Sequence, residues 1–254
     1  MKAIILSAGQ GRRLLPMTAS VPKCMVRVHG RPLIEWQLEA LEACGIDQVT
    51  VVVGFAAEQV DAFVARRRGV ATVTTCYNPF YELADNLVSC WVARHEMDED
   101  FIILNGDTLF EPAVLRRLLD SPRQPITLAR DEKPHYDTDD MKVHLSGDRL
   151  LKVGKDLQDE ESDGESIGLM VFRDAGPALF RDALERSVRK PEGLRRWYLS
   201  VISEIAQTGD AWTQSIHGLA WAEVDYPLDL IRASKMMAAQ QSSMPDDLES
   251  AEVG

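Results

Sequence analysis

The chain has 254 residues, 45% of them hydrophobic and 27% charged, with 40 Asp and Glu against 28 Lys and Arg for a formal net charge of −12. That is the composition of a chain able to build a core, not of a disordered one, and no apolar run approaches the roughly 18 residues of a membrane-spanning helix. Net acidity speaks against a nucleic-acid-binding surface, which needs a basic footprint.

Ala3–Leu6 is a short apolar run that predicts a buried parallel strand, and it stops at a glycine loop, Gly9-Gln-Gly11-Arg-Arg13. The run is too short for a signal-peptide core of roughly 7 to 15 residues, so a cytoplasmic protein is expected. Leu33–Cys44 has helical spacing with Gly45 as its C-cap; Val49–Val53 predicts a strand, Glu58–Arg67 a helix and Val70–Tyr77 a strand. Alternation of this kind predicts βαβ units and a parallel sheet. Glu82–Glu96 is a further helix candidate, and Phe101–Leu104 a buried strand ending in Asn105-Gly106-Asp107. Beyond residue 125, Pro125–Ala129, Met141–Leu145, Leu150–Val153 and Gly168–Phe172 predict a strand-rich, partly antiparallel portion. Ala178–Arg189 and Trp197–Thr208 follow as helices, then Trp212–Ile216 and Leu219–Val224 as strands. From about Gln240 the chain is polar and acidic, and a disordered tail is expected over 240–254. One domain over 1–239 is expected, with a nucleotide-side half to about residue 125 and an acceptor-side half from about 126. Cys24, Cys44, Cys76 and Cys90 are scattered without a C-x-x-C, which points to buried thiols, and core packing is expected for most of the five tryptophans.

Charge is distributed unevenly along the chain. The first thirty-four residues carry six basic side chains and no Asp or Glu, whereas twelve acidic and five basic residues lie between Asp131 and Glu165. A glycine loop followed by two arginines suits a polyphosphate, because glycine lets backbone N–H groups approach and guanidinium forks pair with phosphate oxygens. The loop is neither a dinucleotide fingerprint, which needs glycine where Leu14 stands, nor a P-loop, which needs Gly-Lys before Ser or Thr.

Leu6-Ser7-Ala8-Gly9-x-Gly11-x-Arg13-Leu14, with Pro16 and then Pro22-Lys23, resembles the signature of the nucleotidyltransferases of the sugar-phosphate and phosphocholine cytidylyltransferase type, the MobA-like NTP transferases. Ser7 departs from the usual alanine, and Cys24-Met25 follows the lysine where Pro-Leu or Ala-Leu is more usual. The resemblance is strong over the first hundred or so residues and patchy beyond. It implies a Rossmann-like α/β/α sandwich, and attack of a substrate phosphate on the α-phosphorus of a nucleoside triphosphate with loss of pyrophosphate. It places Leu6, Ala8, Gly9, Gly11, Arg13 and Lys23 at the nucleotide, with Arg13 and Lys23 as the catalytic cations at the transferring phosphoryl group. Phosphoryl transfer independently favours such groups, since it needs positioning and charge neutralisation more than covalent chemistry.

Mg²⁺ takes one or two carboxylates beside phosphate oxygens and water, and Asp107 and Asp225 are the pair expected to hold it. Glu223 is expected on the opposite strand face. Asp85-Asn86-Leu87-Val88-Ser89 resembles the Asn-Asn-x-x-Ser segment of phosphocholine cytidylyltransferases, which implies nucleotide contacts for Asn86 and Ser89. Asp140, Lys142 and Glu165 are the expected acceptor contacts, Lys142 for a phosphate and the carboxylates for an ammonium or hydroxyl. Gly164-x-Ser166-x-Gly168 with Asp210 and His217 matches a hydrolase order, but an elbow needs a strand before and a helix after, and the order here is loop then strand. The expectation is thus a Mg²⁺-dependent enzyme acting on a nucleoside triphosphate, CTP first, and a small phosphorylated alcohol or phosphonate. A sugar-1-phosphate transferase, a non-catalytic nucleotide sensor and a homo-oligomer stay open.

Overall fold

The computed structural model describes residues 1–243; of the tail expected over 240–254, residues 240–243 instead continue the last helix, and the rest lies outside the described residues. In chain order the elements are β1 (Lys2–Ser7), β2 (Arg27–Val28), β3 (Arg31–Pro32), α1 (Leu33–Glu42), β4 (Gln48–Val53), α2 (Ala57–Arg66), β5 (Thr72–Tyr77), α3 (Asn86–Val92), β6 (Phe101–Asn105), β7 (Thr108–Phe110), α4 (Pro112–Leu119), β8 (Ile126–Asp131), β9 (Lys142–Ser146), β10 (Arg149–Gly154), β11 (Gly164–Phe172), α5 (Gly176–Val188), α6 (Tyr198–Ala206), β12 (Ala211–Ser215), β13 (Trp221–Glu223) and α7 (Pro227–Ser243).

Nine strands form one sheet in the order β5-β4-β1-β6-β11-β8-β12-β10-β9. β5, β4, β1 and β6 pair in parallel, β11 is antiparallel to both β6 and β8, and β12 returns parallel to β8. β9 pairs with β10 and also with the start of β11, which wraps the acceptor-side end of the sheet back on itself.

Alternation along the central strands feeds two cores. Ile4 and Ile103 point to the face covered by α3, α5 and α6, where Phe101 and Phe172 stack at 4.4 Å between ring centres. Ala3, Ile5, Ile102 and Leu104 point to the face covered by α1, α2 and α4. Both faces of β1, β4 and β6 are therefore dry, which is why these strands read as nearly continuous apolar runs, whereas the edge strand β5 stays largely exposed. Each fully buried Ile or Phe contributes about 1.5–3 kcal/mol. A third, smaller cluster joins Leu14, Val28, Leu33 and Trp36 to Val224 and Met237, fixing the end of the glycine loop against α7.

Three elements differ from expectation. α3 begins at Asn86 rather than Glu82, because Asp85 is extended (φ −79°, ψ 179°) and Asn78 Oδ1 accepts from Phe80 N–H, turning the chain before the helix starts. The strand expected over 219–224 shrinks to β13, which pairs with β7 in a separate two-stranded ribbon. α4 and α7 escaped the periodicity, although each opens on a proline that suits a first helical position. Among the described residues all four cysteines are free, and no helix is long and apolar enough to cross a membrane.

Candidate active site

The site lies beyond the carboxyl ends of β1 and β6, where open α/β sheets gather their ligands. Gly11, at φ +74°, turns the loop after β1 in the left-handed region; a Cβ there would meet Cβ, Cγ and Cδ of Lys23 at 2.9–3.0 Å. Glycine at this point lets the Lys23 stem cross the loop. Thr18 Oγ1 donates to Gly11 O at 2.8 Å and braces the turn.

The Lys23 ammonium ends between two carboxylates, 2.6 Å from Asp107 Oδ2 and 2.6 Å from Asp225 Oδ1. Burial works against its charge, but Asp107 and then Asp225 outweigh burial and raise its pKa above the ordinary lysine value. Asp107 is held by the turn after β6, where Gly106 N–H donates to Leu6 O at 3.0 Å. The β7–β13 ribbon then carries Asp225 to it: Val224 N–H donates to Asp107 O at 3.1 Å, and Asp229 Oδ2 accepts from Asp225 N–H and Tyr226 N–H. Arg13 completes the group, with Nη2 3.2 Å from Asp225 Oδ2, Nη1 3.0 Å from Asp139 Oδ2 and its guanidinium 5.2 Å from the Tyr226 ring centre.

Leu6, Gly9, Gly11, Arg13, Lys23, Asn86, Asp107 and Asp225 line one cavity of about 330 Å³. Two expected nucleotide residues do not show side chains there. Ala8 packs in the core, its carbonyl accepting from Phe55 N–H. Ser89 lies on the buried face of α3, where its Oγ accepts from Asn78 Nδ2 at 3.1 Å.

A second cavity of about 680 Å³ shares Arg13, Asn86, Asn105, Asp107 and Asp225 with the first and adds Asp140, Glu165, Trp197, Trp221 and Glu223. Eight carboxylates and four cationic side chains line it, so it favours positive charge. Lys142 is not brought here. It alternates with Met141, which does line the cavity, and its buried ammonium lies 3.4 Å from Asp137 O and 3.7 Å from Asp159 Oδ1. Lys155, just after β10, stands in the wall instead, 3.5 Å from Asp139 Oδ1 and 4.5 Å from the Trp197 ring centre.

Glu223 corrects a second expectation. A period of two already gives Glu223 and Asp225 the same side in an extended chain, and although β13 ends at Glu223, both residues line the cleft. Desolvation by the cleft walls, then Asp107 and Asp225, push its carboxyl up to about 8, although the residue keeps an exposed side toward the open cleft. Burial likewise pushes Glu165 up to about 7, against the opposing pull of Lys133. The hydrolase arrangement is not assembled: Ser166 lies within β11, Asp210 accepts from Thr208 Oγ1 at 2.7 Å, and His217 Nδ1 is 3.5 Å from Asp131.

Residues 3–205 match the MobA-like NTP transferase domain. The chain belongs to that family. Among its relatives is the CMP-5'-(3-aminopropyl)phosphonate synthase of Streptomyces rubellomurinus, 31% identical over 238 residues, covering 90% of this chain and 37% of that protein. The choline-phosphate cytidylyltransferase of Streptococcus pneumoniae is 39% identical over 111 residues, 44% of this chain and 47% of that one. The chain thus spans less than half the length of these two curated relatives. The inositol-1-phosphate CTP transferase from T. maritima shares the fold with a TM-score of 0.81 at 22% identity, over 96% of this chain and 97% of that one.

In this NTP transferase domain, Asp107 Oδ1 is buried and has no hydrogen-bond partner while Oδ2 meets Lys23. An orphaned carboxylate oxygen beside a second carboxylate is a donor set that fits Mg²⁺, which draws its remaining ligands from phosphate oxygens and water. Among the described residues no group of three or more His, Cys, Asp or Glu is set for a metal ion, so a tighter all-protein cage is not on offer. Sequence reasoning missed Glu223, Lys155, Asp139 and Tyr226. For Glu223 the signal was present in the period of two; for the others, only tertiary contact shows them.

Proposed function

We propose that the chain is a Mg²⁺-dependent nucleotidyltransferase that joins CTP to a small phosphorylated alcohol or phosphonate and releases pyrophosphate. The observation that carries this reading is the junction of Lys23 with Asp107 and Asp225 at 2.6 Å, at the mouth of a glycine loop flanked by Arg13. CTP is favoured because the relatives named above are called CMP-phosphonate synthase and cytidylyltransferase.

An oxygen of the acceptor phosphate attacks the α-phosphorus, the bond from that phosphorus to the bridging oxygen breaks, and pyrophosphate leaves with the electron pair. The acceptor phosphate is already anionic near neutral pH, so no side chain has to remove a proton. Arg13 and Lys23 neutralise the charge that accumulates on the transferring group, and backbone N–H groups of the glycine loop position the triphosphate. Asp107 and Asp225 would hold Mg²⁺, which when bound supplies further charge neutralisation on the phosphates. Asn86 and Asn105 line both cavities, at the passage between nucleotide and acceptor.

The acidic acceptor cavity favours an acceptor carrying positive charge over a neutral sugar phosphate, and the four charged groups kept together at the junction speak for catalysis over sensing. The deciding experiment is Mg²⁺-dependent pyrophosphate release from CTP, UTP, GTP and ATP against phosphocholine, 2-aminoethylphosphonate, inositol-1-phosphate and hexose-1-phosphates. Release with CTP and a cationic acceptor supports the reading. Release with a hexose phosphate alone replaces the acceptor, and nucleotide binding without any release replaces the enzyme with a sensor.

A further inference from the structure

Lys133 lies on the connection between β8 and β9, yet its ammonium is turned into the acceptor cavity. Nζ stands 2.6 Å from Asp140 Oδ2 and 3.0 Å from Glu165 Oε2, with the Tyr136 ring centre 5.8 Å away. Both carboxylates are largely enclosed, 14% and 7% exposed. Two carboxylates sharing a partly desolvated wall repel each other unless a cation lies between them. Holding a lysine there restricts a long, flexible side chain, and the two carboxylates supply the attraction that keeps it in one place.

Asp139, adjacent in the chain to Asp140, bonds Arg13 at 3.0 Å. Arg13, Lys133, Asp139, Asp140 and Glu165 all line the same cavity of about 680 Å³. One short ligand carrying phosphate at one end and a cation at the other can meet both Arg13 and the carboxylate pair.

We propose that Asp140 and Glu165 form the ammonium site of the acceptor and that Lys133 fills it in the free protein, so that a primary amino group enters by displacing the Lys133 ammonium. The proposal rests on the transferase reading above. It makes Lys133 a specificity residue in two ways. A primary ammonium has three N–H donors and can reproduce the two contacts that Lys133 makes, whereas a trimethylammonium has none. Lys133 is also an internal competitor that lowers apparent affinity by the fraction of time it occupies the site.

The test is calorimetric binding of 2-aminoethylphosphonate, ethylphosphonate and phosphocholine to the full chain, with Mg²⁺ and a non-transferable CTP analogue present. Wild type should bind 2-aminoethylphosphonate about tenfold more tightly than either other probe, a difference of about 1.4 kcal/mol. Lys133→Ala should tighten 2-aminoethylphosphonate about three- to tenfold and leave ethylphosphonate unchanged; Lys133→Gln, which keeps most of the stem, guards against a packing effect. Glu165→Gln should erase the preference for the amine. Equal affinities for 2-aminoethylphosphonate and ethylphosphonate, weaker or absent amine binding in both Lys133 variants, or no binding of any probe to wild type would each overturn the proposal. Pyrophosphate release measured in parallel separates it from the transferase reading: amine preference without release removes the chemistry and keeps the site, and release without preference does the reverse.

Discussion

Arg13 Nη1 donates to Asp139 Oδ2 at 3.0 Å across 126 residues of chain, tying the glycine loop to the connection before β9. The same guanidinium meets Asp225 at 3.2 Å, so both of its terminal nitrogens are engaged by carboxylates on the line where the two cavities join. A triphosphate approaching Arg13 competes with these acidic groups for its N–H donors.

Arg13→Ala should lower kcat/KM by about two to three orders of magnitude, the range for losing one group that stabilises transition-state charge. The side chain is 44% exposed, so the fold should persist with little change in melting temperature. Steady-state kinetics beside circular dichroism check both halves, and undiminished turnover would remove Arg13 from the phosphate cradle.

Lys23→Ala strips the shared cation from Asp107 and Asp225. Without divalent metal the variant should lose on the order of 1–3 kcal/mol of stability, because two largely enclosed carboxylates then face each other without their shared cation. Added Mg²⁺ should raise the melting temperature of this variant more than that of wild type, as a scanning-fluorimetry titration would show. If Mg²⁺ moves neither protein, the two carboxylates do not form a metal site. Asp107→Asn should remove Mg²⁺-dependent turnover; its retention would exclude Asp107 as a ligand.

Glu165 gives the stability a pH dependence of known sign. Burial raises its folded pKa to about 7 from an ordinary 4.5. Between those values the native state binds more protons than the unfolded state, so this group's stabilising contribution is complete below about pH 4.5 and lost as pH rises through about 7. Relative to wild type, Glu165→Gln should therefore gain stability on going from pH 4.5 to 8, by on the order of 1–3 kcal/mol. Urea denaturation of both proteins at the two pH values reads the difference; a constant or shrinking gap would contradict the shift.

Gly106→Ala should damage fold and site together. A Cβ at Gly106 would stand 2.6 Å from Leu6 O and would strike Ser7 Oγ, and the carbonyl belongs to β1 and cannot turn aside cheaply. The expected cost is about 1–3 kcal/mol of overpacking, with a fall in activity because Asp107 is displaced relative to the glycine loop. Wild-type stability in urea would show that the turn has room to spare.

The nucleotide-side half was largely legible in the sequence because its determinants are local. Apolar runs ending at Gly9 and at Asn105-Gly106-Asp107 name strands and the carboxyl ends where ligands gather, and the spacing of Gly11, Arg13 and Lys23 names the cradle. Local periodicity also marks β4, β5, α1 and α2 within a few residues. It was weaker at α3, whose start is set by side-chain bonds from Asn78 and by the extended Asp85 rather than by hydrophobic spacing.

Acceptor-side contacts were harder to foresee because they join distant parts of the chain. Composition shows an acidic stretch from Asp131 to Glu165, but it cannot say that Asp139 turns to Arg13 and Asp140 to Lys133, or that Lys142 turns away toward Asp159. Asp225 and Glu223 enter the site through the β7–β13 ribbon, a pairing between residues far apart in the chain. Glu223 ends β13 and Asp225 follows it two residues on, and both reach the cleft because of where that strand is held beside β7. The amino-acid order thus settles which segments become buried strands and where a phosphate can be cradled, since hydrophobic period and glycine placement act within a few residues. Which charges meet across the cleft follows from the packing of the whole sheet, because Coulomb interactions fall off with separation in space and take no account of distance along the chain.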